Sequence, residues 1–236
     1  MGQGAGVRES CGDERRQSCG VLRNDNCMTR LLIPAISGVF AVADWVAVHR
    51  RQRSLEYFCK PAVMVALLAA ALALHPESTG QRAWFVAALA LSLAGDVFLM
   101  LPRDRFVFGL GSFLLAHLAY IGGLRLEPGG LSTARFLGGV EVVAVAFAVF
   151  GRPVLRAVGP SSLRGPVVAY MAVISVMVAF AAATGDWLAL VGATLFYVSD
   201  ASIAWNRFVN PFPSAKVVII VTYHLAQFAL VASLLT

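Results

Sequence analysis

Charged residues are scarce in this chain of 236 residues: Asp, Glu, Lys and Arg together make up 14% of it, against roughly 25% in an average soluble domain. Hydrophobic residues make up 58%, and the mean hydropathy is +0.75. This composition excludes a soluble domain and predicts that lipid solvates most of the chain. The apolar segments follow one another so closely that no soluble domain fits between them.

Cysteine is also rare. The spacing of the four cysteines matches neither a zinc ligand set nor a disulfide framework. The net charge of +6 comes largely from arginines in short loops between apolar segments, and these arginines form no continuous basic stripe. We therefore expect no nucleic acid partner and interpret the loop arginines as signals of membrane topology.

Residues 1–29 form a polar leader rich in Gly, Arg, Asp and Ser, and residues 30–236 form the predicted membrane domain. The leader has no apolar core before the first hydrophobic segment, so we do not expect a cleavable secretory signal. Its composition predicts disorder. Met28 stands directly before the first apolar segment, which leaves a mis-assigned start site as an alternative.

A spanning helix needs about 20 mostly apolar residues, and eight segments of the membrane domain meet or approach this length. We predict an all-α polytopic transmembrane bundle of about eight helices, in which the second and fifth helices are short. The predicted segments are 31–48, 60–74, 83–101, 106–124, 136–150, 166–184, 187–205 and 216–235. Connections that contain proline or glycine separate them.

With eight crossings, the loops after the first, third, fifth and seventh helices share one side of the membrane. These odd loops and the helix ends beside them carry most of the basic residues outside the leader: Arg50, Arg51, Arg53, Lys60, Arg103, Arg105, Arg152, Arg156, Arg164, Arg207 and Lys216. The even loops carry Arg82, Arg125 and Arg135. The bias predicts odd loops in the cytoplasm and a chain in the cytoplasmic membrane, although the arginines of the leader weigh against it.

Ionisable side chains inside a membrane span are costly, so each is a candidate functional residue. Late positions on odd helices and early positions on even helices lie in the same half of the membrane. By a rise of about 1.5 Å per residue, six such side chains fall within about 10 Å of the odd-loop surface: Asp44, Lys60, Asp96, Tyr170, Asp200 and Tyr223. His117 and Gln227 lie about 16 Å deep. We predict one polar cavity open toward the odd loops.

Most of these residues also have a purely structural interpretation. A lysine near the interface can extend its ammonium to water, and tyrosines are common at interfaces. Asp44 can pair with a loop arginine, and His117 and His224 can be packed or hydrogen-bonded within the bundle. Asp96 and Asp200 are the strongest functional candidates, because very few acids lie inside the predicted spans.

The chain resembles the YhhN-like lysoplasmalogenase family in several short motifs. They are Gly95-Asp96 with Leu99-Met100, Ala116-His117 with Tyr120, Ser199-Asp200 after Gly192-Ala193 and Phe196, Tyr223 with Gln227, and Lys60-Pro61 before the second helix. The resemblance covers residue 31 to the end. It implies hydrolysis of the vinyl ether bond of lysoplasmalogens, which gives a fatty aldehyde and glycerophosphocholine or glycerophosphoethanolamine. It also implies a lysophospholipid substrate drawn from the lipid bilayer.

We expect nine residues to form the site. The catalytic candidates are Asp96, Asp200 and His117, and the substrate-binding candidates are Lys60, Tyr120, Tyr170, Ser199, Tyr223 and Gln227. The resemblance implies all of them except Tyr170, which is included because of its depth in the membrane. It implies no role for Asp44 or His224.

A vinyl ether is cleaved by protonating one vinyl carbon, so the site needs a protonated acid and an anion. Neighbouring carboxylates disfavour each other's ionisation, and an Asp96 and Asp200 pair can therefore supply both. The sequence does not decide which is the acid. His117 can position water or assist proton transfer. This chemistry requires no cofactor, and a zinc site formed by His117, Asp96 and Asp200 is a weaker alternative.

Two other classes of function compete with a hydrolase. Buried aspartates and a histidine also occur in proton-coupled transporters and channels. A non-catalytic lipid-binding protein or assembly subunit would keep the cavity without needing both aspartates. The predicted one-sided cavity and the lack of paired Gly/Pro-broken helices favour the hydrolase. Neither head-group preference nor oligomeric state follows from these patterns.

Overall fold

The structure is a computed structural model that describes residues 35–101 and 105–236. It is all-α over these residues, which confirms the predicted fold class. The helices are α1 Ala35–His49, α2 Arg53–Ala73, α3 Thr79–Met100, α4 Phe106–Leu124, α5 Thr133–Ala146, α6 Arg152–Val158, α7 Arg164–Thr184, α8 Trp187–Ala204 and α9 Ala215–Ala232. The predicted leader lies outside the described residues.

Seven of the described helices are long and apolar enough to cross a membrane. One of them joins α5 and α6 into a continuous helix over Thr133–Val158, and another extends α8 to Val209. The described part of α1 is apolar but shorter. The protein is therefore a multi-pass membrane protein.

The second and fifth spans are longer than the sequence predicts. α2 begins at Arg53, and the fifth span runs from Thr133 to Val158 through a π-helical turn at Phe147–Gly151. A segment that is assigned from hydropathy ends at the first charged residues, but a helix continues where its charged side chains can reach interfacial water. Pro61 lies inside α2, and Pro153 follows the π-helical turn at the start of α6, so neither proline ends its helix.

Glycines allow close approach between neighbouring helices, in particular α3 with α4 and α8 with α9. A Cβ atom on Gly95 would lie 2.7 Å from the Phe113 ring, and one on Gly192 would lie 2.8 Å from Leu230. A larger side chain at either position would force the helices apart. Gly95 and Gly192 lie in the same helices as Asp96 and Asp200, so this packing holds the two helices that carry the aspartates close to α4 and α9.

Candidate active site

A cavity of about 680 Å³ opens among the ends of α2, α3, α4, α8 and α9 that adjoin the odd loops. Five of the nine predicted site residues line it: Lys60, Asp96, Ser199, Asp200 and Tyr223. Polar and charged side chains surround its mouth, namely Arg53, Glu56, Asn206, Arg207 and Lys216. The alternation of helix direction therefore does bring distant parts of the chain to one chamber.

Asp96 is almost completely buried, and both of its oxygens have partners. Lys60 Nζ lies 2.9 Å from Oδ1, and the Tyr223 hydroxyl donates a hydrogen bond of 2.7 Å to Oδ2. The Lys60 ammonium also lies 5.8 Å from the centre of the Tyr223 ring. The lysine thus neutralises a buried charge that would otherwise be costly to hold in the membrane.

Asp200 has different surroundings. The Tyr170 hydroxyl donates a hydrogen bond of 2.5 Å to its Oδ2 atom, and His117 Nε2 lies 3.6 Å from the same oxygen. The second distance is too long for a hydrogen bond. Asp96 and Asp200 both line the cavity. The cavity therefore holds two carboxyl groups, one of which is paired with a lysine.

Aromatic rings pack between Tyr223, which contacts Asp96, and His117, which lies near Asp200. The Phe196 ring lies 4.6 Å from the His117 ring and 5.4 Å from the Tyr223 ring, measured between ring centres. Phe113 packs edge-on against both Phe196 and Tyr223. These rings exclude water from the inner side of the cavity and restrict the positions of the tyrosine and histidine.

Three of the predicted substrate-binding residues make contacts within the bundle. The Tyr120 hydroxyl donates a hydrogen bond to Gln227 Oε1, and both side chains are fully buried below the cavity. Ser199 does line the cavity, but its hydroxyl donates to the Ile219 carbonyl oxygen on α9 at 3.1 Å. Their roles in binding substrate remain predictions.

The alternative of a zinc site is not supported by a set of metal ligands among the described residues. Among the residues that the structure describes, no group of three or more His, Cys, Asp or Glu side chains is placed to hold a metal ion. His117 and Asp200 do approach each other, but Asp96 is engaged by Lys60 and Tyr223 instead.

Comparison with known proteins identifies the family. The YhhN family profile matches residues 55–234, which is more than half of the chain. The chain belongs to the YhhN family. The family predicted from the short motifs is therefore confirmed, while the roles of the nine site residues stay predictions.

Curated relatives of this YhhN protein are found in bacteria and mammals. It is 42% identical over 156 residues to a protein named lysoplasmalogenase from Mycobacterium tuberculosis, covering 63% of this chain and 58% of the relative. It is 33% identical over 236 residues to human lysoplasmalogenase TMEM86B, covering 95% of this chain and 94% of the relative. The pig TMEM86B lysoplasmalogenase is 32% identical over 154 residues, or 63% of this chain and 62% of the relative. No solved structure matches.

Apart from the residues that line the cavity, another buried polar group of this YhhN protein joins α1 to α9. The Trp45 indole N–H donates a hydrogen bond of 3.1 Å to His224 Nδ1, and His224 Nε2 lies 4.0 Å from Asp44 Oδ2. An acceptor at Nδ1 places the proton of a neutral imidazole on Nε2, which faces Asp44. Trp45 was not predicted from the sequence, although an indole next to an intramembrane aspartate is a signal that could have identified it.

Proposed function

We propose that the protein hydrolyses the vinyl ether bond of lysoplasmalogens, including the choline and ethanolamine forms. The observation that supports this proposal is an open cavity in a membrane domain that holds two aspartates in different surroundings, Asp96 beside Lys60 and Asp200 beside Tyr170. A vinyl ether hydrolase needs this combination of an acid and an anion. The names of curated YhhN relatives in bacteria and mammals support the same activity.

We assign the acid role to Asp200 and the anion role to Asp96. The Lys60 ammonium and the Tyr223 hydroxyl both stabilise a carboxylate at Asp96. Asp200 is contacted by a phenol and faces a buried imidazole, so it is the better candidate to carry a proton. Tyr170 occupies one oxygen of Asp200 and thereby orients the carboxyl group.

Hydrolysis then proceeds in balanced steps. Asp200 transfers its proton to the vinyl carbon remote from the oxygen, and the double-bond electrons form the new C–H bond. The ether oxygen shares a lone pair to give an oxocarbenium ion, which the Asp96 carboxylate stabilises electrostatically. Water adds to this cation and returns a proton to Asp200. The hemiacetal collapses to the aldehyde and the free glycerol hydroxyl, while its own hydroxyl proton moves to the departing oxygen.

The mouth of the cavity fits the rest of a lysophospholipid. Arg53, Arg207 and Lys216 stand at the opening, where guanidinium and ammonium groups can attract a lipid phosphate. The bilayer would supply the substrate directly. Under the positive-inside bias, this opening faces the cytoplasm and the protein lies in the cytoplasmic membrane.

The test uses purified protein in detergent with lysoplasmenylcholine in heavy water. We expect release of a fatty aldehyde that carries one deuterium on the carbon next to the carbonyl, because a solvent-exchangeable acid delivers that hydrogen. The saturated ether analogue should bind without being cleaved, since it has no carbon to protonate. Mass spectrometry must precede exchange by enolisation. An aldehyde without deuterium would rule out the acid step, and no aldehyde at all would refute the activity.

A further inference from the structure

A narrow apolar crevice adjoins the polar cavity at Asp200. Its volume is about 60 Å³, against about 680 Å³ for the polar cavity. Tyr170, Met171 and Ile174 of α7 form one side of the crevice, and Ala201 and Ala204 of α8 form another. An apolar space this narrow excludes a charged phosphate head group and fits part of a single hydrocarbon chain.

The two spaces adjoin and share part of their walls. Asp200 lines both of them, together with Leu99, Phe106, Phe113 and Ile203. Asp96 and Lys60, in contrast, line the polar cavity and are not part of the crevice wall. The proposed acid therefore lies at the boundary between a polar chamber and an apolar one.

We propose that this crevice binds the hydrocarbon chain of the lysolipid, with the vinyl ether at the junction beside Asp200. The inference rests on the proposed function, because it takes a 1-alkenyl lysolipid as the ligand. In such a lipid, the bond to be cleaved joins the polar glycerophosphate to the apolar chain. A site that cleaves it needs a polar side, an apolar side and an acid between them, and the structure provides this order.

Irregular backbone forms two parts of the crevice wall. The π-helical turns Phe147–Gly151 and Trp205–Val209 contribute Phe150, Gly151 and Phe208. Such turns occur frequently at functional sites. A Cβ atom on Gly151 would lie 2.8 Å from the Met171 side chain, so the backbone itself forms the wall there.

An aromatic pair marks the side of the crevice that faces lipid. Phe150 is 47% exposed, and its ring packs edge-on against Trp205 with 6.2 Å between ring centres. Because Phe150 also lines the crevice, the hydrocarbon chain can enter from the bilayer past this pair while the head group remains at the polar mouth.

The first test alters the width of the crevice. Ala204→Leu adds volume one helical turn after Asp200, and we expect turnover of a 16-carbon alkenyl lysolipid to fall at least about tenfold relative to a 6-carbon one. Met171→Ala widens the crevice and should shift the preference toward bulkier, branched chains. Ala169→Leu is the matched control, because Ala169 lies on α7 beside Tyr170 but is exposed. Chain-length profiles of both crevice variants that equal the control profile would overturn the proposal.

The second test does not depend on hydrolysis. A saturated 1-alkyl lysophosphocholine with a mid-chain diazirine is photolysed on the purified full chain, and labelled residues are mapped by mass spectrometry. We expect labels on Met171, Ile174 or Ala204, reduced by the Ala204→Leu substitution. Labels spread over lipid-facing residues such as Val142 and Val145 would indicate bulk lipid contact and overturn the proposal. If lysoplasmenylcholine is not cleaved but the crevice is labelled, the proposed function fails while the chain-binding site stands.

Discussion

Replacing Lys60 with methionine isolates the contribution of the ion pair in the cavity. The substitution keeps an unbranched side chain and removes the ammonium that lies 2.9 Å from Asp96 Oδ1. Asp96 is 1% exposed, so its carboxylate would remain buried with the Tyr223 hydroxyl as its remaining partner. Removing one partner of a buried ion pair costs about 3–5 kcal/mol. For a chain of this size, a loss of 3 kcal/mol lowers Tm by roughly 6–12 °C.

Thermal unfolding in detergent measures this loss of stability, and a double substitution tests its cause. Lys60→Met with Asp96→Asn removes both charges and should recover most of the stability, while turnover stays about 10²-fold or more below that of the wild type. Asp96→Asn alone should cost less than Lys60→Met, because the Lys60 side chain is 13% exposed and can reach water.

The matched control is Lys216→Met, which removes an exposed ammonium at the cavity mouth and should change stability by less than about 0.5 kcal/mol. A Lys60→Met protein that unfolds at the wild-type temperature, or a double variant no more stable than Lys60→Met, would refute the argument from buried charge.

Three further predictions concern the cavity and the buried group formed by Trp45, His224 and Asp44. Asp96→Asn and Asp200→Asn should each lower turnover of lysoplasmenylcholine by about 10²-fold or more, and near wild-type turnover in both would favour a non-catalytic lipid-binding protein. Tyr170→Phe should slow turnover by about tenfold, because it frees the Asp200 carboxyl to rotate. It should change Tm little, and unchanged turnover would show that Tyr170 is not part of the site. Trp45→Phe should destabilise the protein by about 1–3 kcal/mol, because it leaves the buried His224 Nδ1 without its donor; a wild-type Tm would contradict this.

The position of the cavity also bears on the transporter alternative. The cavity is lined by the ends of helices beside the odd loops, and the buried Tyr120 and Gln227 side chains hydrogen-bond each other below it. Continuous helices of 18 or more residues surround these groups. A one-sided chamber of this kind suits substrates that enter and products that leave through the same half of the membrane.

The sequence by itself determined the helical fold, the approximate spans and the membrane half in which the polar residues meet. These properties follow from local quantities: the length of apolar segments, the helical rise and the alternation of helix direction. The motifs around Asp96, His117 and Asp200 likewise sufficed to predict the family. The same local quantities misjudged α2 and the fifth span, because hydropathy falls at charged residues such as Arg53 although the backbone hydrogen bonding of the helix continues.

Only the tertiary structure decided which side chains are partners. Lys60 and Tyr120 were both predicted to bind substrate, and the structure adds that the Lys60 ammonium contacts Asp96 and the Tyr120 hydroxyl contacts Gln227. The crevice beside Asp200 was not foreseen either. Each of these features depends on how far every helix is rotated about its own axis and on which distant helices pack together. Close packing at glycines such as Gly95 and Gly192 sets those rotations, and hydropathy carries no information about them.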